Sequence, residues 1–213
     1  MNSFLLFICF IITASKSFSQ QVSLSLPNRP QVAYVGLDNP ILCIAENISC
    51  DSIYVTTDNG SLTKVNGCRY LYRPLTASNT RITVFKRASN NSLILSECIL
   101  EVRNIPDPVA TIGGYNGGII KKETLKSQIG IAATPPPSIG LDLKYRVESY
   151  AVTVIRKNEL FFFTIVKGYF ITEEIHKLID SLQAKDVILF SMITALKADG
   201  RIGNAAPLEF RIE

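Results

Sequence analysis

The chain has 213 residues, with 22 lysines and arginines against 18 acids, one histidine, no tryptophan, and an apolar fraction of 47%. That is enough apolar material for two small cores, while a formal charge of +4 over this length makes no basic field of the kind nucleic acid requires. A single histidine also leaves little room for Ser-His-Asp chemistry or a multi-histidine metal site.

Residues 4–14 (FLLFICFIITA) are an uninterrupted apolar run, and Ser17-Phe18-Ser19 puts small residues where signal peptidase wants them. The pattern predicts a signal peptide over residues 1–19 and export, although the preceding Met1-Asn2-Ser3 carries no side-chain positive charge. A bilayer span needs about 20 apolar residues. The run stops short of that at Ser15, so the mature chain is expected to have no membrane span. Once Lys16 is removed with the signal, eight bases face six acids before residue 106 and thirteen face twelve after it, so neither half is a nucleic-acid surface.

Residues 20–30 read as an N-terminal linker, and residues 31–104 as a first domain. Short β-rich runs at 32–35, 41–45, 52–57, 68–72, 81–86 and 93–102, separated by turn residues, predict a sandwich of immunoglobulin-like type. Asp58-Asn59-Gly60 reads as a hairpin turn between a strand within 51–57 and a return over 61–66. Tyr70 and Tyr72 lie two apart on one strand face, where cross-strand packing competes with an aromatic platform for sugar.

Four cysteines follow the signal, all in this first half. An even set in an oxidising compartment points to disulfides before metal ligation. If the hairpin loop is centred on Asn59, Cys50 and Cys68 stand opposite each other, which leaves Cys43 for Cys98. The alternative connectivity, Cys43 with Cys50 and Cys68 with Cys98, stays open.

A proline-bracketed joint, RNIPDPVATIGG, opens the second domain, residues 105–213. It is expected to be β-rich with short helical inserts at 120–128 and 172–182, the latter N-capped by Thr172 and burying Ile175, Leu178, Ile179 and Leu182. Residues 145–155 and 160–166 form a hairpin turning at Arg156-Lys157-Asn158-Glu159. Leu160-Phe161-Phe162-Phe163 is apolar on both faces, which suits a central strand; at an edge it would be a docking or aggregation surface. Residues 187–196 and 208–212 close the sheet. The fold class is therefore mainly β, with two consecutive β-sandwich, immunoglobulin-like domains.

Chemistry-bearing motifs are missing. There is no GxSxG, HExxH or P-loop pattern, and the glycine run at 113–118 lacks both GxGxxG spacing and a following Lys-Ser or Lys-Thr. Glu173 and Glu174 point about 100° apart on a helix, which suits N-terminal charge balance better than a carboxylate pair. His176 falls beside the buried stripe with no second ligand near it in sequence. No catalytic residue, cofactor site or metal site is expected.

Gly36-Leu37-Asp38-Asn39-Pro40-Ile41, the run "NIPDPVATIGG" and the run "GGIIKKETLKSQIGI" together resemble the C-terminal periplasmic domains of the GldM family of gliding-motility and type IX secretion proteins. The resemblance spans essentially the whole mature chain, with residues 31–104 similar to the third domain of that family and residues 105–213 to the fourth. Thr134-Pro135-Pro136-Pro137-Ser138 stands where the family has an aromatic-acidic stretch. The resemblance implies a free-standing relative of the distal GldM shaft in Bacteroidetes: a non-catalytic periplasmic protein, homodimeric, that binds envelope proteins such as secretion-system components. A secreted adhesive or glycan-binding sandwich is the alternative.

Overall fold

The computed structural model describes residues 21–26, 31–88, 91–137 and 143–213. The expected signal segment, residues 20 and 27–30 of the expected linker and Ser138 of the proline-rich loop lie outside the described residues.

Eight strands build the first domain: β1 (Val22–Ser25), β2 (Val32–Tyr34), β3 (Asn39–Ala45), β4 (Ile53–Thr57), β5 (Ser61–Asn66), β6 (Arg69–Arg73), β7 (Thr80–Lys86) and β8 (Leu93–Arg103). They form two four-stranded sheets in the orders β1-β3-β6-β5 and β2-β8-β7-β4. Alternation along each strand sends one set of side chains inward, so Ile41 and Cys43 from β3, Tyr70 and Tyr72 from β6, Ile82 and Val84 from β7 and Leu100 from β8 share one core. Residues 22–25, read as linker from sequence, are a strand. Four residues are too few to show a period, and β1 is held by a partner twenty positions on, antiparallel to β3.

The hairpin expected at Asp58-Asn59-Gly60 does not form. β4 pairs with β7 and β5 with β6, so residues 58–60 carry the chain from one sheet to the other. The polar side chains explain the choice. Asp58 Oδ1 accepts from the Arg81 N–H at 3.0 Å, while Asn59 accepts from the N–H groups of Leu75 and Thr76 and donates to Thr76 O at 2.8 Å. Asp58 is thus committed to the start of β7 and Asn59 to the loop that follows β6, and the turn is pulled across the sandwich instead of closing on its neighbour.

The second domain contains β9 (Val109–Ile112), β10 (Gly118–Ile120), α1 (Lys122–Lys126), β11 (Ile131–Thr134), β12 (Arg146–Arg156), β13 (Glu159–Lys167), α2 (Glu173–Asp180), β14 (Val187–Leu196), β15 (Ile202–Asn204) and β16 (Leu208–Ile212). One six-stranded sheet runs β10-β16-β14-β12-β13, with β15 continuing beside β14; β9 and β11 make a separate two-stranded ribbon. Ribbon and helices form the second layer, since Ala110, Ile112, Leu125, Ile131, Ile175, Leu178, Ile179 and Leu182 pack with Tyr150, Val152, Phe190 and Phe210 of the large sheet. The Thr172 hydroxyl caps α2 by accepting from the Ile175 N–H, as its sequence predicts. The first insert shortens to five residues because Lys121, at its N-cap, has no side-chain acceptor to offer.

Where the halves meet, Ile105 is buried in a small cluster with Val32 and Tyr34, against which Leu37, Leu143 and Tyr145 pack. Tyr145 donates to Pro106 O at 3.1 Å, and the Lys197 ammonium, almost wholly buried, reaches Ile105 O and Asp107. The joint is therefore tied to elements on both of its sides.

Candidate interaction surface

No catalytic constellation assembles among the described residues. His176 lies half-buried on α2, and no three His, Cys, Asp or Glu side chains are placed to hold a metal. Glu173 is committed to Lys177 at 3.0 Å, one helical turn on, instead of to Glu174. The glycine run makes the turn between β9 and β10, with Gly113, Gly114, Gly117 and Gly118 all at positive φ, where only glycine is unstrained.

The tyrosine platform is overturned. Tyr70 is 3% exposed and Tyr72 fully buried, both on the inward face of β6, and the Tyr70 hydroxyl donates to Ile53 O. Two residues apart on a strand did mean one face, and it is the core face.

Cys50 and Cys68 are bonded, with 4.9 Å between their Cα atoms. Because the hairpin is absent, the bond is not a cross-strand staple: it ties the short 3-10 turn before β4, in one sheet, to the turn between β5 and β6 in the other. Closing a loop of this size contributes about 3 kcal/mol in the chain-entropy model. Cys43 and Cys98 are free thiols, on β3 and β8, at the same core. Burial, with Cys98 adding to it, pushes the Cys43 thiol up to about 11. Thiolate is the reactive form, so native protein kept reduced at neutral pH should alkylate at Cys43 orders of magnitude more slowly than in denaturant, read by intact-mass time courses.

The site with most unspent apolar surface is β13. It is an edge strand, paired with β12 alone among the described residues, and this corrects the expectation that residues 160–163 would be central. The centre is taken by β12 and β14, whose inward side chains Tyr150, Val152, Val154, Ile188 and Phe190 are fully buried. On β13 Phe162 and Val166 pack on the core, while Phe161 is 48%, Phe163 53% and Ile165 60% exposed. Lys157 and Asn158 at φ 53° and 65° make the tight turn that places it, and an irregularity opposite Ile155 puts Phe161 out of ladder register.

Phe161 is held from behind. The Arg156 guanidinium lies 4.0 Å from its ring centroid and donates to Asp186 at 2.7 Å, while the Gln183 N–H donates to the same carboxylate. Burial alone would raise Asp186, but the Arg156 hydrogen bonds, the Gln183 N–H and the Arg156 charge outweigh it and hold the carboxyl below its ordinary value. A depressed folded value means that the stabilisation is full above the unfolded value, about 4, and is lost as pH falls through the folded one. Asp186→Asn should cost roughly 2–4 kcal/mol at pH 7. Urea midpoints should fall more steeply below pH 4 for the wild type than for this variant (about the unfolded carboxylate value).

The sequence model of the GldM C-terminal domain family matches residues 106–213, half of the chain, including β13 and everything that positions it. The chain belongs to the GldM family. Solved structures similar to this GldM-family chain over 91% of its length include the Yersinia pseudotuberculosis adhesin InvE (10% identity, 59% of that chain, TM-score 0.31). The N-terminal four immunoglobulin domains of Dscam1 isoform 7.44 (11% identity, 91% of this chain and 52% of that one, TM-score 0.26) are also similar. So is a chimeric titin Z1Z2 (10% identity, 91% of this chain and 97% of that one, TM-score 0.29). The chain spans little more than half the length of the first two, and likenesses this weak say nothing of activity. No curated protein matches the GldM-family chain. No helix of its described residues is long and apolar enough to cross a membrane.

Proposed function

We propose that this protein is an exported, non-catalytic interaction protein of the cell envelope, working as a homodimer that engages components of the type IX secretion or gliding machinery. Membership of the GldM C-terminal domain family carries the reading. In it, residues 1–19 are removed on export, residues 31–104 together with β1 form a first domain, and residues 105–213 form the second, which presents the aromatic edge at β13.

Export also completes the cysteine chemistry. Cys43 and Cys98, facing one core from opposite sheets, release two protons and two electrons to a dithiol oxidase of the exporting compartment and become a second cystine. Alkylating the envelope-derived protein in denaturant before any reduction should then label no cysteine; two labels would restrict oxidation to Cys50 and Cys68.

The decisive experiment is crosslinking in the native envelope followed by mass spectrometry. Recovery of secretion or motility components with this chain is the expected result. A chain found reduced in the cytosol, or crosslinked to nothing in the envelope, overturns the proposal.

A further inference from the structure

We infer that the cavity at the end of the large sheet, between the β12–β13 turn and the turn that leads into β14, binds the terminal phosphate of a phosphomonoester through Lys157, Lys185 and Arg211. The inference stands apart from the partner reading above.

Charge carries the argument. The cavity has a volume of about 400 Å³, and four cations line it, Arg156, Lys157, Lys185 and Arg211, against a single acid, Asp186. That acid is spent, since Arg156 holds it at 2.7 Å and the Gln183 N–H donates to it. Arg156 is spent as well: it also donates to Ser181 O and lies against the Phe161 ring. Glu159, two residues beyond Lys157, lines the neighbouring groove and not this one. Lys157, Lys185 and Arg211 are exposed and make neither an ion pair nor a side-chain hydrogen bond among the described residues. The whole chain has an excess of only +4, so three uncompensated cations at one cavity concentrate a charge that is close to balanced elsewhere.

Three chain segments place these groups. Ile155, Val187 and Arg211 are paired in one row across β12, β14 and β16, which sets Arg211 beside an apolar floor. Lys157 and Asn158 have φ 53° and 65°, and Lys185 has φ 74°. Glycine is unstrained in that conformation and a residue with a side chain is not, yet three of the five non-glycine residues with positive φ among the described residues line this one cavity. Lysine is kept at two of them at the cost of strain. The Lys185 N–H donates to Ile212 O and the Ile212 N–H to Asp186 O, so the turn before β14 is stitched to the strand that carries Arg211. The number of cations selects the ligand. A carboxylate matched to Arg211 would leave two ammonium groups without a counter-charge, whereas a phosphate dianion offers an acceptor oxygen to each of the three. Ile155, Ala184 and Val187 give the carbon skeleton of the ester an apolar wall.

Amide NMR of the mature chain, titrated with inorganic phosphate above its second pKa of about 6 and at constant ionic strength, tests this. Saturable shifts at Lys157, Asn158, Lys185 and Arg211 are expected, with acetate binding at least about tenfold more weakly. Lys185→Gly should weaken phosphate binding by roughly tenfold while melting stays level or rises, because glycine relieves the left-handed backbone. A lysine kept only for the turn would leave binding untouched. Lys144→Ala, beyond the other end of β12, should change nothing. Should Lys185→Gly misfold, Arg211→Gln gives a second reading, with a loss of similar size. Phosphatidylcholine vesicles with and without phosphatidic acid separate the sources of the phosphate. Binding only with phosphatidic acid, lost in Lys185→Gly, assigns a lipid headgroup; saturable phosphate shifts without vesicle binding assign a soluble phosphate ester. Shifts that do not saturate, acetate bound as tightly as phosphate, or phosphate affinity unchanged in both variants overturns the site.

Discussion

Gly60→Ala should destabilise the first domain by about 3 kcal/mol or more, the largest loss expected from adding a single methyl group to this chain. Gly60 sits at φ 88°, a left-handed conformation that alone penalises a Cβ by about 1 kcal/mol. Space is the larger problem. A Cβ there would meet Arg73 O and the Pro74 Cα, which are main-chain atoms and cannot swing aside as a side chain would. The reason is the crossover described above: the 58–60 segment lies against the end of β6 because Asn59 is bound to the loop that follows and Asp58 to the start of β7. In thermal unfolding the first transition should fall by roughly 10–20 °C at unchanged secondary structure content. A shift of only a degree or two would mean that the crossover is loose and that residues 58–60 move freely.

Asn39→Ala should cost roughly 3 kcal/mol, through hydrogen bonds instead of space. Asn39 is wholly buried and both polar atoms of its amide are hydrogen-bonded. Its Oδ1 accepts from the Tyr34 N–H at 2.9 Å, and its Nδ2 donates to Tyr34 O, Leu37 O and Tyr72 O. One side chain thus joins the end of β2, the turn after it, and β6 of the opposite sheet, and truncation orphans several main-chain groups where water does not reach. Asn39→Asp discriminates this from packing. It preserves shape and the acceptor, but turns a donor aimed at three carbonyl oxygens into a negative charge. At pH 7 it should destabilise at least as much as Asn39→Ala. Its folded-state pKa would be raised above the unfolded value, so stability should be partly regained as pH falls through that raised value, as chemical denaturation across pH will show. Equal urea midpoints for Asn39→Asp and wild type at pH 7 would remove the amide from the account.

Asn39 also shows what a resembling motif stood for. The run Gly36 to Ile41 pointed to a family, and the structure gives its asparagine a structural task, joining the two sheets of the sandwich at one end. Gly36 nearby has φ 74° and approaches Asp199 of the second domain, so the same run contributes to the contact between the halves.

Local pattern by itself determined the β-rich class, most strand positions, the stripe and cap of α2 and the β12–β13 turn. These are properties of neighbours within a few residues: alternation on a strand, a hydroxyl before a helix, residues that accept left-handed backbone. Tertiary structure alone decided which strands pair. Asp58-Asn59-Gly60 has the composition of a hairpin turn, yet its side chains bond residues 16 to 23 positions away and send the chain to the other sheet. Tyr70 and Tyr72 were legible as sharing a face, but whether that face was core or solvent depended on where β6 fell in its sheet. The same holds for β13. Its residues told of an apolar strand, and apolar content is equally consistent with a centre or an edge; only the competition of β12 and β14 for the central places left Phe161, Phe163 and Ile165 facing outward with backbone groups to spare. Sequence period reports which way side chains alternate, whereas exposure is set by what the rest of the chain brings alongside, and that is a long-range packing outcome.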